Sequence, residues 1–80
     1  LELREALARG LGALSPEHRQ VLLLRELQGL TYEEIAAALE LDLGTVKSRI
    51  ARAREKLRKY LVASGNFSGY LPSNLAEKEG

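Results

Sequence analysis

Residues 44–59 read GTVKSRIARAREKLRK. Val46, Ile50, Ala53 and Leu57, continued by Leu61, recur at the i, i+4, i+7 spacing of a helix docked on a core. The other positions carry Lys47, Arg49, Arg52, Arg54, Lys56, Arg58 and Lys59 against one acid, Glu55. Such an amphipathic helix with a cationic outer surface suits an element that enters a phosphate-lined groove. Charge alone does not decide this, because Lys and Arg toward a helix C-terminus also complement the helix dipole on ordinary solvated surfaces. The residues before the run do.

Thr31-Tyr32-Glu33-Glu34 fits a capping box, with Thr31 as N-cap and Glu34 at N3. It predicts a short third helix with Ile35, Ala36 and Leu39 inward. Glu40 to Leu43 leaves room only for a tight turn, and the basic helix is expected to begin near Gly44 or Thr45. A capped short helix, a turn of about four residues and a longer cationic helix make a helix-turn-helix. Upstream, Leu3, Leu7, Leu11 and Leu14 mark a first helix over roughly residues 2–13. Gly10 and Gly12 weaken its second half by about 1 kcal/mol each relative to Ala. Ser15-Pro16-Glu17 reads as N-cap, N1 proline and first-turn acid of a second helix over about 16–27. Val21, Leu22, Leu23, Leu24 and Leu27 make that helix apolar on more than one side, which predicts the central helix. Gly29 is its expected left-handed stop.

The sum is an all-α, four-helix domain without strands over residues 1–63. Residues 64–80, SGNFSGYLPSNLAEKEG, lack periodicity and read as a tail or linker, flexible or docking on a partner through Phe67, Tyr70 and Leu71.

Composition narrows the function classes. The chain has 80 residues, 45% of them apolar, with three Tyr and one Phe, which suits one small Leu/Ala-packed helical core. Without cysteine and with one histidine it offers no disulfide, no thiolate chemistry and no metal cluster, so no cofactor is expected. No apolar run approaches the roughly 20 residues of a membrane span, and no signal peptide opens the chain, so a cytoplasmic protein is expected. The absence of Met predicts a piece of a longer polypeptide. Net charge is +1, unevenly spread: residues 1–40 hold seven acids against four Lys or Arg, residues 41–63 seven Lys or Arg against two acids. An acidic front and a basic helix predict two partners on two faces.

At about 100° per residue, Ser48, Ala51, Arg52 and Glu55 lie opposite the apolar stripe, flanked by Lys47 and Arg49. Small side chains at Ser48 and Ala51 let the backbone sink toward base edges, and Arg52 has the fork for bidentate contact with guanine. Thr45, Lys56 and Lys59 lie toward the sides, where groove walls present phosphates. Glu55 is expected to pair with Arg52 or Lys59 at helical spacing. His18 is expected to be an exposed first-turn residue with no catalytic constellation around it.

Pro16 to Leu22, Gly29 to Ala36, Gly44 to Arg49 and Arg52 to Arg58 together resemble region 4 of extracytoplasmic-function (ECF) sigma factors, short members of the sigma-70 family of bacterial transcription initiation factors. The resemblance covers about residues 3–61, in order and at family spacing. It implies a helical domain that binds the promoter −35 element as duplex DNA in the major groove, as a monomer. It also implies two protein partners, the flap of the RNA polymerase β subunit and an anti-sigma factor that masks region 4. By matched position, Lys47, Ser48, Ala51 and Arg52 would be base-proximal, and Thr31, Tyr32, Glu33, Thr45 and Arg49 would lie at or near the backbone. Ala51 stands where the family also uses larger side chains.

Two other functions remain open at this level. A response-regulator effector domain shares the Leu30-Thr31 opening and the Thr45-Val46-Lys47 helix, but usually has His where Arg49 stands and lacks the Arg52-Ala53-Arg54 run. A sigma-like protein-interaction module that does not read DNA is the other. An enzyme is not expected, since no phosphate-binding loop or nucleophile constellation is present.

Overall fold

The computed structural model describes residues 2–65, which form four helices: α1 (Glu2–Ala13), α2 (Pro16–Glu26), α3 (Tyr32–Leu39) and α4 (Leu43–Gly65). No strand occurs among the described residues. α4 continues through Ser64 and Gly65 rather than ending near residue 63. The tail expected beyond it falls, from Asn66 on, outside the described residues.

Local chemistry sets the helix ends. Ser15 caps α2, its Oγ accepting the His18 N–H at 3.3 Å, with Pro16 in the first turn where a missing N–H costs nothing. Gly29, at φ 71°, turns the chain after α2, and the Leu30 N–H reaches back to the Leu24 carbonyl at 3.1 Å. The Thr31 capping box is complete: the Glu34 N–H donates to Thr31 Oγ1 at 3.0 Å, and the Thr31 N–H donates to Glu34 Oε1 at 2.8 Å. Glu40 closes α3 in the left-handed region, φ 58° and ψ 47°, while the Leu41 N–H donates to the Ala36 carbonyl at 3.0 Å.

α4 starts at Leu43, earlier than expected. Asp42 initiates it: the Thr45 hydroxyl donates to the Asp42 carboxylate, and the Val46 N–H donates to the Asp42 carbonyl at 3.2 Å. The hydrogen bond from Thr45 holds the Asp42 carboxyl below its usual range. The turn of the motif is thus shorter by one residue.

Two apolar clusters stack along α4. Val21, Tyr32, Ile35, Val46 and Ile50 form the one inside the helix-turn-helix, flanked by Leu24, Leu30, Ala36, Leu39, Leu41 and Leu43. Ala6, Leu14, Leu22, Ala53, Leu57 and Leu61 form the other, with Leu7 and Leu11 against it. α2 serves both through the adjacent Val21 and Leu22, as its two-sided apolar pattern suggested. The central helix is nevertheless α4, which packs on all three others. Its apolar stripe is continuous over several turns, whereas that of α2 gives out at its C-cap, where Leu27 is 78% exposed.

The two α1 glycines play opposite parts. A Cβ on Gly10 would lie 2.6 Å from Leu57 Cδ1 and 3.1 Å from Tyr60 Cδ1, so Gly10 marks the close approach of α1 to α4. A Cβ on Gly12 would meet nothing. Gly12→Ala is therefore expected to stabilise the domain by about 1 kcal/mol through helix propensity. Thermal melts by circular dichroism should show a rise of about 4–8 °C. Gly10→Ala should recover less of that gain, because Leu57 and Tyr60 must shift.

Candidate nucleic-acid interface

The inner face of α4 is fully committed: Val46, Ile50, Ala53 and Leu61 have no exposed surface, and Leu57 almost none. Burying each large side chain stabilises by about 1.5–3 kcal/mol, which fixes the rotation of the helix about its axis. That rotation leaves Lys47, Ala51 and Arg52 exposed and Ser48 half-exposed on one outward arc. Arg49 and Thr45 are half-buried at its edge, and Lys56 and Lys59 are exposed further along. The arc therefore combines a low centre, Ser48 and Ala51, with long cations around it.

The structure redistributes several other charges. Glu55 pairs with Arg58, at 2.6 and 3.3 Å, and with Lys59 at 3.9 Å, rather than with Arg52. The hydrogen bonds from Arg58 hold the Glu55 carboxyl below its usual range. Arg54, counted from sequence with the outer cations, is withdrawn: its side chain is 13% exposed and lies 3.7 Å from Glu26, itself 17% exposed, tying α4 to α2. The outer face of α4 is less cationic than its composition.

α3 contributes Thr31 and Glu33, both exposed. Tyr32, expected beside the DNA backbone, is a core residue instead, 7% exposed among Val21, Ile35, Val46 and Ile50. The Arg25 guanidinium lies 5.4 Å from the centroid of its ring, and Arg25 Nη1 donates to the Leu30 carbonyl at 2.9 Å. Arg25 thereby ties the end of α2 to the start of α3 and sets how the two helices of the motif are presented. His18 is half-buried rather than exposed, and burial first, then the positive charge of Lys56, holds its imidazole below the usual range. Sequence reasoning missed this neighbourhood, and also missed Asp42 as the initiator of α4. An Asp three residues before Thr45 was the available signal for the second.

Among the described residues no group of His, Asp and Glu could hold a metal ion, and no helix is long and apolar enough to cross a membrane.

The sequence of this segment matches known proteins. The family model for sigma-70, region 4, matches residues 4–57. The chain is 52% identical over 52 residues to the ECF RNA polymerase sigma factor SigE of Mycolicibacterium smegmatis, covering 65% of this chain and 20% of that protein. It is 50% identical over 56 residues to the ECF RNA polymerase sigma-E factors of Salmonella typhimurium and Escherichia coli, covering 70% of this chain and 29% of each. The chain thus spans between a fifth and a third of the length of these curated relatives. No solved structure gives a significant match. The matched segment contains all of α2 and α3 and the basic arc of α4 up to Leu57, so the chain belongs to the sigma-70 region 4 family, in the form carried by ECF sigma factors.

Proposed function

We propose that this domain reads the promoter −35 element as duplex DNA and so directs RNA polymerase to particular promoters; the family it belongs to is one of DNA-binding transcription factors, not of enzymes. The observation that carries the reading is the outward arc of α4, where Ser48 and Ala51 leave room for base edges between Lys47 and Arg52. Lys47, Ser48, Ala51 and Arg52 are the base-proximal residues. Thr31, Glu33, Thr45, Arg49, Lys56 and Lys59 line the backbone, and Tyr32 acts from beneath by fixing α3.

The protein partner falls on another surface. Pro16, Arg19, Gln20, Leu23, Leu24 and Gln28 line an open groove of about 340 Å³ on α2, close to the exposed Leu27. An apolar groove with a polar rim suits a protein element, and the polymerase β flap is the proposed occupant. An anti-sigma factor that covers either surface would silence the domain. The domain acts as a monomer, in the cytoplasm, and includes α4 to its end at Gly65.

Selection of bound duplexes from a random pool, with this chain tethered to the polymerase flap, tests the reading. A shared motif is the expected result. Recovery of unrelated sequences would shift the assignment to a protein-interaction module. Lys56→Ala is expected to weaken cognate and scrambled duplexes equally and to flatten the slope of log K against log salt by about 0.9. Titrations at several salt concentrations check this, and a loss confined to the cognate duplex would show that Lys56 reads bases.

A further inference from the structure

We infer that the last turn of α2 is a polar clamp that sets the register of this domain on DNA, with Arg25 and Glu26 as its positioning residues. The inference rests on the DNA-binding reading above and extends it to side chains that meet neither base nor phosphate.

These two consecutive residues reach in two directions. Glu26 faces Arg54 of α4 at 3.7 Å, and both side chains are largely withdrawn from solvent. Arg25 donates from Nη1 to the Leu30 carbonyl at 2.9 Å, with its guanidinium 5.4 Å from the centroid of the Tyr32 ring. Leu30 immediately precedes Thr31, the cap of α3, while Arg54 follows Ala51 and Arg52 within one turn of α4. One turn of α2 is therefore joined to both elements proposed to meet the duplex. These are the start of α3, which lines the backbone, and the arc of α4, which faces the bases.

The polar chemistry of the clamp decides what it does. Burial selects the face of α4 that turns inward, but it is non-directional and tolerates small slides of α4 against α2. Hydrogen bonds and close charge pairs are directional and resist such slides. A pair this far from water adds little net stability, because desolvation of both charges offsets their attraction, so its effect is on geometry. Backbone contacts fix where a protein sits on a duplex, and base contacts read it. A slide of α4 relative to α3 would displace Lys47, Ser48, Ala51 and Arg52 from base edges while leaving the attraction to phosphates in place. Arg54, a cation drawn away from the outward arc, thus serves the reading of DNA through Glu26.

The test uses the 80-residue chain, the duplex it selects from a random pool, and a shuffled duplex of equal length and composition. Glu26→Met combined with Arg54→Met removes one charge of each sign, so net charge is unchanged and an apolar pair takes their place. The readout is the ratio of shuffled to selected dissociation constants by fluorescence anisotropy, with thermal melts alongside. An unfolded fraction weakens both duplexes by the same factor and cancels in the ratio, so a merely structural role leaves it unmoved. The expected result is a ratio reduced about tenfold, the size of one lost base contact, with shuffled-duplex affinity and salt slope unchanged. Glu26→Gln keeps the side-chain shape and should lower the ratio too, which covers a double variant that fails to fold. Arg25→Gln, which cuts the tie to α3, should act in the same direction. An unchanged ratio in the folded variants overturns the inference. A parent chain that selects no shared motif overturns the DNA reading itself; a motif with a ratio untouched by the variants removes only the clamp.

Discussion

Ile50→Ala is expected to cost about 2–5 kcal/mol of folding stability. Ile50 is fully buried and packs in one cluster with Val21, Tyr32, Ile35 and Val46, so residues of α2, α3 and α4 surround it. Truncation would leave a cavity between three helices, none of which can close it without moving the other two. At about 0.05–0.15 kcal/mol per residue, a domain of this size has only a few kcal/mol in hand, so the substitution removes much of what is available. Each kcal/mol shifts the midpoint by about 4–8 °C, so the thermal midpoint should fall by more than about 10 °C. Ala51→Ser, one residue on and outside the core, should change stability by less than about 0.5 kcal/mol. Paired thermal and denaturant melts check both. A loss under about 1 kcal/mol for Ile50→Ala would mean that α4 is not anchored where the structure puts it.

Arg52→Ala should leave the fold intact and weaken the cognate duplex by about 1–3 kcal/mol, with base preference relaxed at one position. Arg52 is exposed, lies on the outward arc and is not the partner of Glu55, which is taken by Arg58 and Lys59. Its guanidinium is therefore available to form the bidentate contact that discriminates guanine. The contrast with Lys56 is the informative part. Losing a phosphate contact weakens all sequences alike, whereas losing a base contact weakens chiefly the cognate one. Fluorescence anisotropy on cognate and single-base variant duplexes distinguishes the two. Equal losses on cognate and scrambled DNA would reassign Arg52 to the backbone.

These expectations show where sequence patterns suffice. The inward set of α4 was legible because period and rotation are coupled: once Val46, Ile50, Ala53, Leu57 and Leu61 are inside, the angular positions of Lys47, Ser48, Ala51 and Arg52 follow. Arg54 lies near the margin of that stripe, so its angle alone did not say whether it faced solvent or α2. Glu26 settles the matter, and it is distant in sequence. Tyr32 shows the same limit. As N1 of a capped helix its position on α3 was clear, but only the docking of α3 on α2 and α4 turns its ring inward beneath Arg25.

The sequence by itself determined that the described residues form four helices, where three of them begin, and which face of the basic helix is buried. Those features depend on hydrogen bonds and side-chain periods spanning three or four residues, such as Ser15 to His18 and Thr31 to Glu34. Only the tertiary structure decided that α4 rather than α2 is the shared axis, that Gly10 is a contact point, that Arg54 is withdrawn and that His18 is half-buried. Each of these is set by how two helices cross, and crossing brings together residues tens of positions apart that no local pattern relates.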